Sequence, residues 1–114
     1  MINGFIDETE ELSDYEKDTL LPLMVRGLKP RLGSDKAITN KEMREGLSKL
    51  DHKVSDARIR KLINYIRIHR LVVNLVSSSK GYYRTNDPAE IRHYVESLMQ
   101  RASSIEEVAK SFII

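Results

Sequence analysis

The chain has 114 residues, 40% hydrophobic and 32% charged, with a formal net charge of +2, which bounds it to one domain with enough apolar side chains to bury a core. It has no cysteine, which excludes a disulfide framework, a cysteine–zinc site and a thiol nucleophile. No stretch approaches the roughly 18 apolar residues of a membrane span, and the start lacks the pattern of a secretion signal, so the expectation is a soluble, cytoplasmic protein.

The small net charge conceals an uneven distribution. Residues 1–18 carry seven acids and one lysine, residues 26–84 fifteen Lys or Arg against five acids, and residues 85–114 three basic residues against five acids. The middle of the chain is therefore strongly basic and both ends are acidic. That is the electrostatic footprint of a polyanion binder, although a merely solvated basic surface has the same signature.

In chain order, residues 1–12 show no sustained period and read as an acidic flexible arm. Ser13 and Glu16 form a capping box, followed by Leu20, Leu21, Met24, Val25 and Leu28 at helical spacing. Pro22 lies inside this pattern, where it kinks the helix or marks its start. Pro30 and Gly33 end it. Ala37–Ile38 has the character of a very short strand. Thr39 and Glu42 make a second capping box, opening a helix with Met43, Leu47 and Leu50 on one face that ends near Lys49. Ser55 caps the next helix, with Asp56 in its first turn. Ile59, Leu62, Ile63 and Ile66 form its apolar stripe, and it runs to about His69.

The pattern then changes. Leu71, Val72, Val73, Leu75 and Val76, the turn residues Ser77 to Gly81, and Tyr82, Tyr83 and Thr85 predict a β-hairpin with a polar, basic tip. One of the two tyrosine rings should face inward and the other outward. Asp87, Pro88 and Glu90 start a last helix. Ile91, Leu98, Ile105 and Phe112 recur every seven residues along it. It is either one long helix or two broken near Ser103–Ser104, with Ser104 and Glu107 as another capping box. Its stripe either packs back on the first helix or meets the same stripe of a second chain in a homodimer.

This order predicts a mainly α fold with a small β-hairpin: a winged helix-turn-helix over residues 13–86, with a three-helix core and a wing, and an additional C-terminal helix or helices over 87–114. In such a fold one helix is held by its neighbours while its outer face enters the DNA major groove. At 100° per residue, Ala57, Lys61 and Asn64 point away from the stripe of the helix 55–69. Asp56, Arg60 and Arg67 lie on one flank, and Arg58 and Tyr65 on the other. Arg58, Arg60, Lys61 and Asn64 are thereby expected to reach bases or nearby phosphates. Ser55, Lys41, Arg44 and, on the wing 72–85, Lys80 and Arg84 are expected to hold the backbone, and Asp56 and Arg67 complete the expected DNA-binding set. Ile68 departs from this pattern, because it points out beside Ala57 and Lys61. The expected partner is double-stranded DNA, with no membrane and no cofactor. His52, His69 and His93 have no ligand spacing and the acids do not pair, so neither a metal site nor an enzyme is expected.

The stretch from about Ala37 to Val95 resembles the small winged-helix proteins of bacteriophages and prophages. The resemblance rests on Ile38-Thr39 with Glu42, on Ser55-Asp56 with Arg58 and Arg60-Lys61, on Ser77-Ser78-Ser79-Lys80-Gly81-Tyr82-Tyr83, and on Asp87 with Glu90, Tyr94, Ser97 and Leu98. It covers about half the chain and implies a DNA-binding role in replication or transcription regulation. Arg70 departs from it, standing where winged helices often carry glycine. The competing expectation is a winged-helix protein–protein interaction module without DNA binding.

Overall fold

The computed structural model describes residues 11–113, so most of the acidic arm expected over 1–12 lies outside the described residues. Leu12, assigned to that arm, packs against the core. The chain is mainly helical, with one small two-stranded antiparallel sheet. Among the described residues, no helix is long and apolar enough to cross a membrane.

The first helical unit begins at the expected capping box. The Ser13 N–H donates to Glu16 Oε1 (2.8 Å), and the Glu16 N–H donates to Ser13 Oγ (3.2 Å). A π-helical segment, Glu16–Leu20, runs directly into α1, Leu21–Leu28. The Leu21 N–H donates five residues back, to the Glu16 carbonyl. Pro22 thus sits at the start of α1, where it lacks only a donor, and the wider turn before it keeps the two segments continuous. Leu20, Leu21, Met24 and Leu28 are buried.

A short 3₁₀ turn, Ser34–Lys36, leads to Ile38, which bridges to Tyr82 through Ile38 N–H to Tyr82 O (3.0 Å) and Tyr82 N–H to Ile38 O (2.8 Å). The expected short strand is this single bridge. Helix α2, Asn40–Lys49, starts at Thr39, whose capping box with Glu42 is complete in both directions. The Thr39 backbone N–H, then its hydroxyl, hold the Glu42 carboxyl below its ordinary range. Met43 and Leu47 are buried, whereas Leu50, expected on the same face, is 56% exposed. It falls after the last helical turn, where the chain reverses: the His52 N–H donates to Leu47 O (2.9 Å) and Asp51 takes a left-handed φ of 65°. This six-to-one closure satisfies a carbonyl that the helix end leaves open.

Helix α3, Asp56–Ile68, is capped by Ser55 Oγ, which accepts from the Arg58 N–H (3.2 Å). Ile59, Leu62, Ile63 and Ile66 are all at or below 1% exposure and form the centre of the core. The helix closes as α2 does, with the Leu71 N–H donating to Ile66 O (3.0 Å). Arg70 takes the left-handed φ of 54° that this closure needs. The departure from glycine is therefore one of residue and not of backbone, and costs on the order of 1 kcal/mol.

The hairpin is shorter than its apolar run suggested. Strand β1 is Leu75–Ser78 and β2 is Gly81–Arg84, paired from Leu75↔Arg84 to Ser78↔Gly81. Residues 71–74 form a loop, with Val72 buried and Asn74 at φ 57°. Gly81 is required twice over: its φ is 118°, and a Cβ there would stand 2.4 Å from the carbonyl carbon and oxygen of Ile38.

Helix α4, Pro88–Lys110, starts at Asp87, whose carboxylate accepts from the Ala89 N–H (2.9 Å). It continues through Ser103 and Ser104, so there is neither a break nor a second cap. Its length is about 34 Å. Its first half lies on the hairpin: Tyr83 Oη donates to Glu90 Oε2 (2.6 Å), Thr85 Oγ1 donates to Glu90 Oε1 (3.2 Å), and Ser77 Oγ bonds Tyr94 Oη (3.1 Å). The bond to Glu90, then burial, push the Tyr83 phenol up to about 12. Both tyrosines are thereby covered. Tyr82 packs on the helical core, and Tyr83 lies beneath α4, which no alternation rule for a one-sided hairpin anticipates. From Leu98 to Ile113 every residue of the chain is exposed.

Candidate nucleic-acid interface

Glu16 is the residue that reorganises the expected binding face. Its side chain is 3% exposed, and it receives Lys61 Nζ on Oε1 (2.8 Å) and Arg58 Nε on Oε2 (3.0 Å). Burial alone would raise its pKa. The Lys61 hydrogen bond, the Ser13 N–H and the charges of Lys61 and Arg58 outweigh that and hold it below the ordinary value. Lys61 is itself 11% exposed, and the Arg58 guanidinium also lies 5.7 Å from the centre of the Tyr15 ring.

Lys61 and Arg58 were expected to reach bases. Both instead pair with an acid of the same subunit: Lys61 is nearly buried there and turned away from solvent, while Arg58 keeps its side chain 38% exposed. The helical wheel located the core correctly but could not show how far the first helix wraps around α3. The spacing carries the signal for that contact: Leu12, Glu16, Leu20, Met24 and Leu28 recur every four residues. An acid standing inside an apolar stripe needs cationic partners when it is buried.

Three further cations are engaged in the fold. Arg67 Nε donates to the Leu75 carbonyl (2.8 Å), and its guanidinium stands 5.5 Å from the Tyr82 ring centre and 5.2 Å from that of Tyr94. Arg84 Nη1 donates to the Lys29 carbonyl (2.6 Å), tying the hairpin to the end of α1. Arg44 Nε lies 2.8 Å from Asp56 Oδ1, a charge contact between α2 and α3 without hydrogen-bond alignment. Arg67 and Arg84 act as cross-braces, for which extended contact to a phosphate would break existing bonds. The Arg44–Asp56 pair is half-exposed and screened, so it constrains Arg44 only weakly.

What remains on the surface is narrower and better defined. Ala57 and Asn64 are half-exposed and Arg60 is exposed along the outer side of α3, and Ile68, at 76% exposure, ends that strip. Ser55 is exposed at the N-terminus of α3. Lys41 and Lys53 line one groove with Arg44, Glu45, Ser48 and Val54, beside the α2–α3 turn. Lys53 was not singled out from the sequence, because it sits in the turn and not on a helix face. Lys80 is exposed at the hairpin tip, where its N–H donates to Ser78 Oγ (3.1 Å). Among the described residues, no cluster of three or more His, Asp or Glu could hold a metal ion. No family model matches this chain, and no curated protein or solved structure is similar to it.

Proposed function

We propose that this chain is a winged helix-turn-helix protein that binds double-stranded DNA, of the kind found in phage and prophage regulators or replication proteins. The reading rests on one observation above others: α3 keeps an outward strip, Ala57–Arg60–Asn64, with no large apolar side chain before Ile68, beside a groove bearing Lys41, Arg44 and Lys53 together with one acid, Glu45. A small residue, an arginine and an amide are what a helix in the major groove needs at its contact face. The helix, bridge strand, helix, turn, helix and hairpin order supports the same reading, as does the local charge excess of residues 26–84. In this arrangement Arg60 and Asn64 meet base edges, and Lys41, Lys53, Ser55 and Lys80 meet phosphates.

The test is a titration of the full chain with a random duplex across salt concentrations. Binding that weakens with salt is expected, and the log–log slope should flatten by about one on removing each of Lys41 and Lys80. An Arg60→Ala, Asn64→Ala double variant should lose preference for a selected sequence while keeping most nonspecific affinity. Absence of binding at low salt overturns the proposal in favour of a protein-interaction module, a reading that the exposed apolar side chains of α4 otherwise support.

A further inference from the structure

The second half of α4 is not covered by any other described residue. Residues 99–110 are all exposed, and a free helix of about a dozen residues is marginal in water. Yet its apolar positions are ordered. Val95, Leu98, Ala102, Ile105, Ala109 and Phe112 follow one another at alternating spacings of three and four, the seam of a two-helix pair. Ile105 is 68% exposed and Phe112 73%.

We propose that this seam pairs with the same seam of a second copy, antiparallel, about an axis between Ala102 and Ile105. The argument lies in the sizes. In the antiparallel register Ile105 faces Ala102 of the partner subunit, Leu98 faces Ala109 of the partner subunit, and Val95 faces Phe112 of the partner subunit. Each layer then holds one larger and one smaller side chain, and the helices can keep one separation throughout. A parallel pair would put alanine on alanine and isoleucine on isoleucine, so that layers alternate between void and crowding.

Charge favours the other choice, since Arg101 would meet Glu106 of the partner subunit in a parallel pair. An exposed pair of that kind is screened by solvent and contributes little, whereas an unfilled layer forfeits burial and packing along the seam. Packing therefore decides the direction.

A second observation agrees independently. At the foot of α4 an open, mostly apolar groove is lined by Val72, Val73, Ile91, Val95 and Leu98, with Arg67 and Arg70 also on its wall, and Val73 is 54% exposed. Only the antiparallel register brings Phe112 of the partner subunit level with Val95, at the mouth of this groove. The occupant is a second copy of this chain, and the site is continuous with the seam.

The experiment is sedimentation velocity of the full chain without DNA, so its outcome is independent of the DNA reading. A concentration-dependent dimer is expected, and Ile105→Asp should weaken it by roughly 100-fold. The helical content of the body should be unchanged, because Ile105 is 68% exposed and lies outside the core among the described residues. The chain has no cysteine, so direction is read by oxidising single-cysteine variants. Leu98→Cys mixed with Ala109→Cys should give a crossed disulfide, and Leu98→Cys alone should give none. A monomer at all concentrations, a dimer indifferent to Ile105→Asp, or ready self-crosslinking of Leu98→Cys would each overturn the proposal.

Discussion

The two flanks of α3 carry similar residues and do different things. On one, Arg58 and Lys61 close onto the buried carboxylate of Glu16, Lys61 nearly buried and Arg58 partly exposed. On the other, Asn64 and exposed Arg60 are presented outward. The difference is made by what stands opposite: the buried carboxylate of Glu16 faces one flank, whereas on the other Arg60 is exposed to solvent. Basic residue type alone therefore says nothing about exposure.

That contrast can be broken at its strongest point. Glu16→Ala leaves Lys61 as a nearly buried charge without a partner, and should destabilise by about 3 kcal/mol in chemical denaturation. The pH dependence sharpens the same point. Glu16 titrates below its ordinary value of 4.5 in the folded chain. Its contribution is thus present above that value and lost as pH falls through the lower, folded one. Glu16→Gln should remove that component of acid sensitivity.

Arg67→Met should cost less, about 1–2 kcal/mol, through the lost bond to the Leu75 carbonyl and the lost packing between Tyr82 and Tyr94. Lys41→Ala and Lys80→Ala should change stability by under about 0.5 kcal/mol, because both are exposed surface positions. Thermal melting of this series ranks the cations by their structural role. A steep cost for Lys80→Ala, or none for Glu16→Ala, would erase the distinction between the flanks.

Local signals in the sequence were reliable where the chemistry is local. The Thr39–Glu42 and Ser13–Glu16 boxes, the Ser55 and Asp87 caps and the isoleucine stripe of α3 each depend on residues within one or two turns, and each appears as read. The hairpin tip was legible for the same reason, since Gly81 fixes the turn. Its strand limits were not, because Leu71 to Val73 resemble strand residues and serve as a loop over the core. The site was half legible. Residue pairs 42 and 45 positions apart join Glu16 to Arg58 and Lys61, and no helical wheel describes a second helix. Arg84 and Lys29, 55 residues apart, illustrate the same gap.

The wide turn before Pro22 determines more than helix continuity. A wide turn takes up one residue more than an α-turn while bringing the chain round nearly once, so the upstream segment keeps about the facing of an unbroken spiral one residue shorter. The aim of Glu16 is set by that phase. Adding one uncharged residue after Thr19 would leave the charge inventory untouched and keep every cation of α3 in place. With the wide turn already holding its extra residue, the carboxylate would swing by about 100° around the axis of its helix, releasing Lys61 and Arg58 together. The boundary between interior and surface on α3 is thus governed in part by residue count in a neighbouring segment.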